Sequence, residues 1–319
     1  MTALTLSIVT PTYQRAANLR LLLDSLAEQT LSSELFEVIV IDDGSADDTL
    51  DVIRSAASKL PNLAWESGTN AGPARARNRG ASRATGDVIV FLDDDIEAAP
   101  DLLAKHHEFH TGRGDDHWGL LGRVDWAPTV KVTPFMRWID RMGLQFSYDT
   151  WLEEGEVPKP YRAFYMANIS IPRAAFVASG GFDERFPYPA FEDYELGWRL
   201  VEAGFRVHYD PAARAFHTRG IDIRTFRRRM KMVGESAQFL LALHPRFELA
   251  EVLTKNRLDR RRRLKHLEYA PIARLVGDQA RLDRVYREVI ADAYCEGKRL
   301  GIERLAAAGA PRSDTLPET

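Results

Sequence analysis

The first hundred positions alternate between short unbroken apolar runs and amphipathic stretches. Leu6 to Thr10 is one run, Phe36 to Ile41 a second and Val88 to Leu92 a third, with Leu63 to Trp65 a shorter candidate. Runs of this length, rich in β-branched residues and closed by polar turns, predict strands buried on both faces. Between them, Leu19, Leu22, Leu23 and Leu26 recur at helical spacing and predict a helix from Asn18 to Gln29. A second helix is expected from Asp48 to about Leu60, capped by Ser45 or Asp47, and a third over Ala71 to Ala84. Strand alternating with helix predicts a parallel sheet covered by helices. In such sheets ligands gather at the carboxyl ends of the strands. The polar loops after Thr10, Ile41 and Leu92 all hold that position, so one pocket can collect all three.

From Asp115 to Phe164 the period is lost and Trp, Pro and Gly become frequent, which predicts loops that shape a pocket. Order returns with a strand near Ala167 to Ile171, a helix from Arg173 and a turn at Gly180-Gly181-Phe182. A helix from Asp193 to Ala203, stopped by Gly204, leads into a strand at Phe205 to Tyr209. After Gly220 the chain is basic and helical. From Ala306 it is Ala, Pro, Ser and Thr, expected to fray. The expected divisions are 1–220, 221–305 and 306–319.

Composition narrows the class. With 45% hydrophobic residues in 319, the chain can bury a sizeable core. A net charge of -3 argues against nucleic acid as partner. The one cysteine, Cys295, rules out a disulfide within the chain, fits a reducing compartment and is expected to be a partly buried thiol. No basic leader with a cleavage site and no apolar run of roughly 18 residues is seen, so the expected location is cytoplasmic. Arg224, Arg227, Arg228, Arg229 and Lys231 form one basic cluster, and Lys255 to Lys265 a second. The clusters admit a solvated helical face, a homodimer interface, or peripheral contact with anionic lipid at the inner face of a membrane, and nucleic acid is disfavoured by the overall charge and the lack of a binding motif.

The candidate chemistry begins at Asp93, Asp94 and Asp95. Three adjacent carboxylates after a buried strand repel one another and call for a cation. Hard oxygen ligands suit Mg²⁺ or Mn²⁺, with substrate phosphates completing the shell; an acidic turn or cap is the alternative. Asp42 and Asp43 follow the second strand, where a carboxylate can bind a base or ribose or simply form a turn. Arg75 and Arg79 share a helix face, and Arg77 points elsewhere, as a diphosphate ligand would. Glu192-Asp193 opens a helix, where carboxylates favour the dipole and where Asp193 could act as a general base. His217 follows an expected strand and could add a nitrogen ligand, with a purely structural histidine as the alternative.

The ordered set of segments resembles the family 2 glycosyltransferases, inverting enzymes of the GT-A fold. Ser7-Ile8-Val9-Thr10-Pro11-Thr12-Tyr13 is similar to the family's opening strand and nucleotide loop. Val40 to Ser45 with Asp48-Thr49, Asn70-Ala71-Gly72 with Ala76-Arg77-Asn78-Arg79-Gly80, the Asp93-Asp94-Asp95 signature, Gly180-Gly181-Phe182-Asp183 and Glu192-Asp193 follow in order. The resemblance runs from about Leu6 to Gly220. It implies an α/β fold with a mixed, mostly parallel sheet flanked by helices, followed by a C-terminal helical extension. It implies a nucleotide-diphosphate sugar as donor, UDP favoured, and a saccharide or lipid-linked acceptor in polysaccharide, glycolipid or glycoconjugate synthesis. Pro11, Thr12, Tyr13, Arg15, Asp43, Gly72, Arg77, Asp93 and Asp94 would face the donor, Asp95 and His217 the metal, and Asp193 would be the base. The Gln-x-x-Arg-Trp motif of processive synthases is not found, which favours transfer of single sugars. A catalytically silent sugar-nucleotide binding protein is the rival reading. A nucleotidyltransferase fits less well, because the first loop lacks glycine. Trp118, Trp126, Trp138 and Trp151 could stack on sugars or pack in the core.

Overall fold

In the computed structural model, which describes residues 4–145, 148, 152–186, 188–247 and 278–307, the apolar runs become the centre of one sheet. β1 (Leu6–Thr12) lies between β2 (Phe36–Asp42) and β4 (Val88–Phe91), parallel to both, with Ile8 opposite Val38 on one side and Val90 on the other. Ile8, Val9, Ile39, Val40, Ile89 and Val90 are fully buried, so neither face carries a polar alternation. β3 (Leu63–Ser67) forms the edge beyond β2. The covering helices are α1 (Ala16–Ala27), α2 (Thr49–Ala56) and α3 (Pro73–Arg83). The four leucines predicted for α1 are its buried face.

The expected loops from Asp115 to Phe164 are partly a strand. β6 (Trp118–Trp126) pairs in parallel with β9 (Arg206–His217), itself longer than predicted. Two glycines disguised β6. A Cβ at Gly119 would meet the Ser170 carbonyl at 2.9 Å, and one at Gly122 would strike Asn168 and the Ala213 carbonyl. They are there for close approach between strands. In β9, Asp210-Pro211 reads as a stop, but it falls where the register slips opposite Gly122/Arg123, and the strand continues past the irregularity. β8 (Ile169–Pro172) runs antiparallel to both β4 and β6, and the short β5 (Ile96–Ala98) and β7 (Gly155–Glu156) pair antiparallel with β9. The order is β3-β2-β1-β4-β8-β6-β9-β5, with β7 also on β9. β1, β2, β4, β6 and β9 therefore point the same way, and their carboxyl ends share one edge of the sheet.

The remaining helices are α4 (Leu102–Arg113), α5 (Pro134–Arg141), α6 (Arg173–Ala178), α7 (Glu192–Glu202), α8 (Ile223–Leu243) and α9 (Gln279–Ala307). Two compact units emerge. The first takes the described residues of Met1–Val132, Ile139–Arg185 and Glu192–Gly220, and contains the whole sheet. The second takes those of Ile221–Thr319 together with Thr133–Trp138 and Phe186–Phe191. Within it, α8 and α9 pack closely, Gly297 lying against the Lys231 carbonyl. Phe135 and Trp138 meet Phe226 and Tyr286 in an aromatic cluster. Cys295 is exposed on α9, not partly buried as expected. Among the described residues no helix is long and apolar enough to cross a membrane. Trp151, the cluster from Lys255 to Lys265 and the tail beyond Ala307 lie outside the described residues.

A buried polar network braces the sheet behind β8. The Ser170 hydroxyl lies 2.8 Å from both His106 Nδ1 and His110 Nε2, and His106 Nε2 lies 2.9 Å from Asn168 Oδ1. Burial lowers His106 to about 4 and His110 to about 3. Both imidazoles are neutral in the fold, while in the unfolded chain they take up protons near 6.5. The unfolded state thus binds more protons as pH falls below 6.5, and stability declines from there toward pH 4. The expected loss is about 3 kcal/mol from His106 alone. Urea denaturation at pH 7 and pH 5 checks this. His106→Gln should flatten the pH dependence while lowering stability at pH 7.

Candidate active site

The site forms where the carboxyl ends of β1, β2, β4, β6 and β9 meet. The loop after β4 carries Asp93, Asp94 and Asp95, and each carboxylate has a different partner. Asp94, with its side chain 5% exposed, accepts from Thr12 Oγ1 at 2.9 Å and from Arg15 Nη1 at 2.7 Å. The same Arg15 nitrogen donates to Asp95 Oδ2 at 2.9 Å. Burial raises the Asp94 carboxyl above the usual range, opposed by Arg15 and the Thr12 hydrogen bond. Burial also works against the Arg15 charge, but Asp94 and Asp95 more than offset it and the guanidinium stays protonated. The loop after β1 and the acidic loop are thereby locked together, and the cation demanded by three adjacent carboxylates is supplied in part by Arg15.

Asp95 also faces the end of β9. Its Oδ1 lies 3.5 Å from His217 Nε2, while His217 Nδ1 lies 3.0 Å from the Arg219 carbonyl. The placement follows from the sheet: Ile96 in β5 pairs with His217 in β9, and the backbone of Thr218 donates to the Asp95 carbonyl at 2.8 Å. Trp126, at the end of β6, sets its ring edge-on to His217 with centroids 5.3 Å apart, and its indole N–H donates to Asp140 Oδ2 at 2.7 Å. Trp138 is buried core and Trp118 sits at the opposite edge of the sheet, stacked against Arg113 and Arg206. Among the described residues no group of three or more metal-ligating side chains assembles. Asp95 and His217 are an oxygen–nitrogen pair of the type a divalent ion accepts.

Asp43 is buried and bonds the third motif, taking the backbone N–H groups of Ala71 at 2.9 Å and Gly72 at 2.8 Å. Gly72 has φ +90°, a conformation that favours glycine, just before Pro73 opens α3. Tyr13, directly after β1, is exposed, its hydroxyl accepting from Gln14 Nε2 at 3.0 Å, and Pro11 is half-buried.

Of the three arginines on α3, Arg75 is exposed near Glu184 and Arg79 pairs with Glu66. The sequence assigns Arg77 to the diphosphate. The structure instead buries it and commits its terminal nitrogens to carboxylates: Nη2 to Asp93 Oδ1 at 2.8 Å and Nη1 to Glu192 Oε1 at 2.9 Å. From the sequence, Glu192 reads as a first-turn carboxylate favoured by the helix dipole. A signal for the pairing was present: Ala74, Ala76, Arg77, Gly80 and Ala81 are the buried residues of α3, and a lone arginine among small buried residues demands a buried carboxylate. Asp193, half-buried in the first turn of α7, accepts from the Tyr194 backbone N–H at 2.8 Å. The Gly180-Gly181-Phe182 turn is gripped from both sides, by Asn78 through the Phe182 N–H and carbonyl and by Arg199 through the Gly181 carbonyl.

A mostly parallel sheet with antiparallel strands inserted, carrying an aspartate-rich loop after its fourth strand, defines the GT-A glycosyltransferase class. Solved structures agree. Staphylococcus aureus TarS 1–349, in complex with UDP-GlcNAc, matches with a TM-score of 0.57 over 98% of this chain and 95% of that one, at 18% identity. The mannosyltransferase PcManGT of Pyrobaculum calidifontis, in complex with GDP-Man and Mn²⁺, gives 0.55 over 98% and 77%, also at 18% identity. In sequence, the model of glycosyl transferase family 2 matches residues 7–142. An uncharacterized glycosyltransferase of Haemophilus influenzae is 42% identical over 230 residues, 69% of this chain and 71% of its own. Validoxylamine A glucosyltransferase of Streptomyces hygroscopicus subsp. jinggangensis is 34% identical over 218 residues, 62% of this chain; the match spans about half of that relative, 52%. The chain belongs to glycosyltransferase family 2.

Thr12→Val tests the lock between the end of β1 and the acidic loop after β4. It keeps the shape and removes a buried donor to an ionisable acceptor, so a loss of about 1.5–3 kcal/mol in unfolding free energy is expected by urea denaturation.

Proposed function

We propose that the protein transfers a sugar from a nucleotide-diphosphate sugar, UDP favoured, to an acceptor hydroxyl with inversion at the anomeric carbon. The observation that carries this reading is the meeting of the acidic loop, the β1 loop and the first turn of α7 in one unit at one edge of the sheet. Neighbours of this fold in complex with UDP-GlcNAc and with GDP-Man and Mn²⁺ support a nucleotide-sugar donor. Pro11, Thr12, Tyr13, Asp43 and Gly72 frame the nucleotide, and Asp93 and Asp94 face the ribose and sugar. Mg²⁺ or Mn²⁺ would be held by Asp95 and His217, supplying positive charge to the leaving diphosphate. The acceptor oxygen bonds to the anomeric carbon as the bond to the diphosphate oxygen breaks. The electron pair leaves with the nucleoside diphosphate, and the acceptor proton passes to the Asp193 carboxylate. Saccharide and lipid-linked acceptors both fit this chemistry.

Calorimetric titration with UDP, dTDP and GDP, each with and without Mn²⁺, is expected to show metal-dependent binding of one nucleotide, UDP first. Asp193→Asn is expected to lower transfer by about 10²–10⁴-fold and leave the nucleotide Kd within about twofold. Full activity in that variant would remove Asp193 as base.

The second unit carries a basic helix face. Arg224, Arg227, Arg228 and Arg229 are all exposed on α8, whereas Phe226 and Met230 turn inward. This face is read as a contact for anionic lipid headgroups, each arginine near such a surface contributing about 1 kcal/mol. Co-sedimentation with phosphatidylserine vesicles should weaken on changing Arg227 and Arg228 to Glu. Binding indifferent to anionic lipid content would refute it.

A further inference from the structure

One guanidinium holds two parts of the site that the reaction uses for different purposes. Arg77 reaches from α3 to Asp93 in the acidic loop with one terminal nitrogen, and to Glu192 at the start of α7 with the other. Its charge lies over the Phe182 ring at 5.6 Å, so the turn before α7 closes it from water. Asp193, the next residue after Glu192, is near enough that its charge helps keep Arg77 protonated.

This tie is a poor stabiliser. Among the described residues, Arg77 Nε and Glu192 Oε2 are both buried without a hydrogen-bond partner. Buried ion pairs with unsatisfied atoms often hold a fold no better than apolar groups of the same volume would. What such a pair does supply is position, because neither partner can move without stranding the other. Glu192 and Glu195 are both buried on α7, and Glu195 orients Arg199 onto the Gly181 carbonyl. The first turn of α7 is therefore fixed on the same side as the acidic loop and the glycine turn.

We propose that Glu192 is the positioning residue for Asp193: clamped by Arg77, it sets the first turn of α7, and with it the direction of the Asp193 carboxylate, against the acidic loop that carries Asp93. This rests on the reading of Asp193 as the base. Glu192 itself touches no substrate. Its contribution is to the geometry of proton removal, where an error of about 1 Å is enough to cost on the order of 10²-fold in rate. Donor binding does not depend on it.

The test compares Glu192→Ala, Glu192→Gln and Asp193→Asn with the parent protein. Turnover is read as UDP released from UDP-glucose and UDP-GlcNAc with water as acceptor, and UDP affinity by calorimetry in the presence of Mn²⁺. Glu192→Ala is expected to lower kcat by about 100-fold. Glu192→Gln keeps an oxygen that can accept from Arg77, and should recover kcat to within about tenfold of the parent, with donor KM and UDP Kd within about threefold in both variants. The proposal is overturned if Glu192→Ala retains parental kcat, if the glutamine variant is as slow as the alanine variant, or if UDP affinity falls in step with kcat. Should the alanine variant not fold, a glutamine variant with weakened UDP binding, or with kcat lowered by about 100-fold or more, overturns it, and one with kcat within about tenfold of the parent and intact binding upholds it. Parental turnover in Asp193→Asn instead overturns the base reading itself. An inactive Asp193→Asn beside a fully active Glu192→Ala removes only the positioning role.

Discussion

Four carboxylates crowd one edge of the sheet, and their mutual repulsion is the constraint that organises it. Asp93, Asp94, Asp95 and Glu192 come from two separate segments, and three of the four are buried. Such a cluster is tolerated only where positive charge is supplied at hydrogen-bonding distance. Arg15 supplies it to Asp94 and Asp95, and Arg77 to Asp93 and Glu192. Each arginine joins a different element to the acidic loop. The order of motifs along the chain is thus turned into a three-dimensional site by charge neutralisation as much as by sheet pairing.

The sheet's centre was legible because parallel strands buried on both faces leave continuous apolar runs, as at Ile39 to Ile41 and Ile89 to Leu92. Their carboxyl-end loops could be named for the same reason. β6 was not legible. Gly119 and Gly122 look like loop residues in one dimension and become close-approach residues only beside Ser170, Asn168 and Ala213. The end of β9 was hidden in the same way by Asp210-Pro211, which the register slip absorbs. Both misreadings arise where one strand must yield to its neighbour, and a pattern along a single chain carries no record of the neighbour.

The residues of the site were legible by type and place, but their partners were not. An aspartate next to a turn can bind a nucleotide or its own backbone, and Asp43 is found holding the Ala71 and Gly72 amides. An arginine on a helix can face solvent, phosphate or a carboxylate. For Arg77 the small residues at Ala74, Gly80 and Ala81 decide the matter, since they press that face of α3 against the sheet. Only spacing on the same helix separates Arg77 from the exposed Arg75.

The two arginines differ in one respect that governs how each can act. The Arg15 side chain is 36% exposed and that of Arg77 is 7% exposed. Water can replace a partner of Arg15, so its bonds to Asp94 and Asp95 can exchange for others at modest cost. Water has little access to Arg77. Loss of its charge would leave Glu192 as a buried carboxylate with no cation, a change of several kcal/mol by comparison with other broken buried pairs. Arg15 is therefore suited to a part of the site whose contacts can exchange. Arg77 is suited to a part that keeps its shape, and it lies between the loop bearing Asp93 and the helix bearing Asp193.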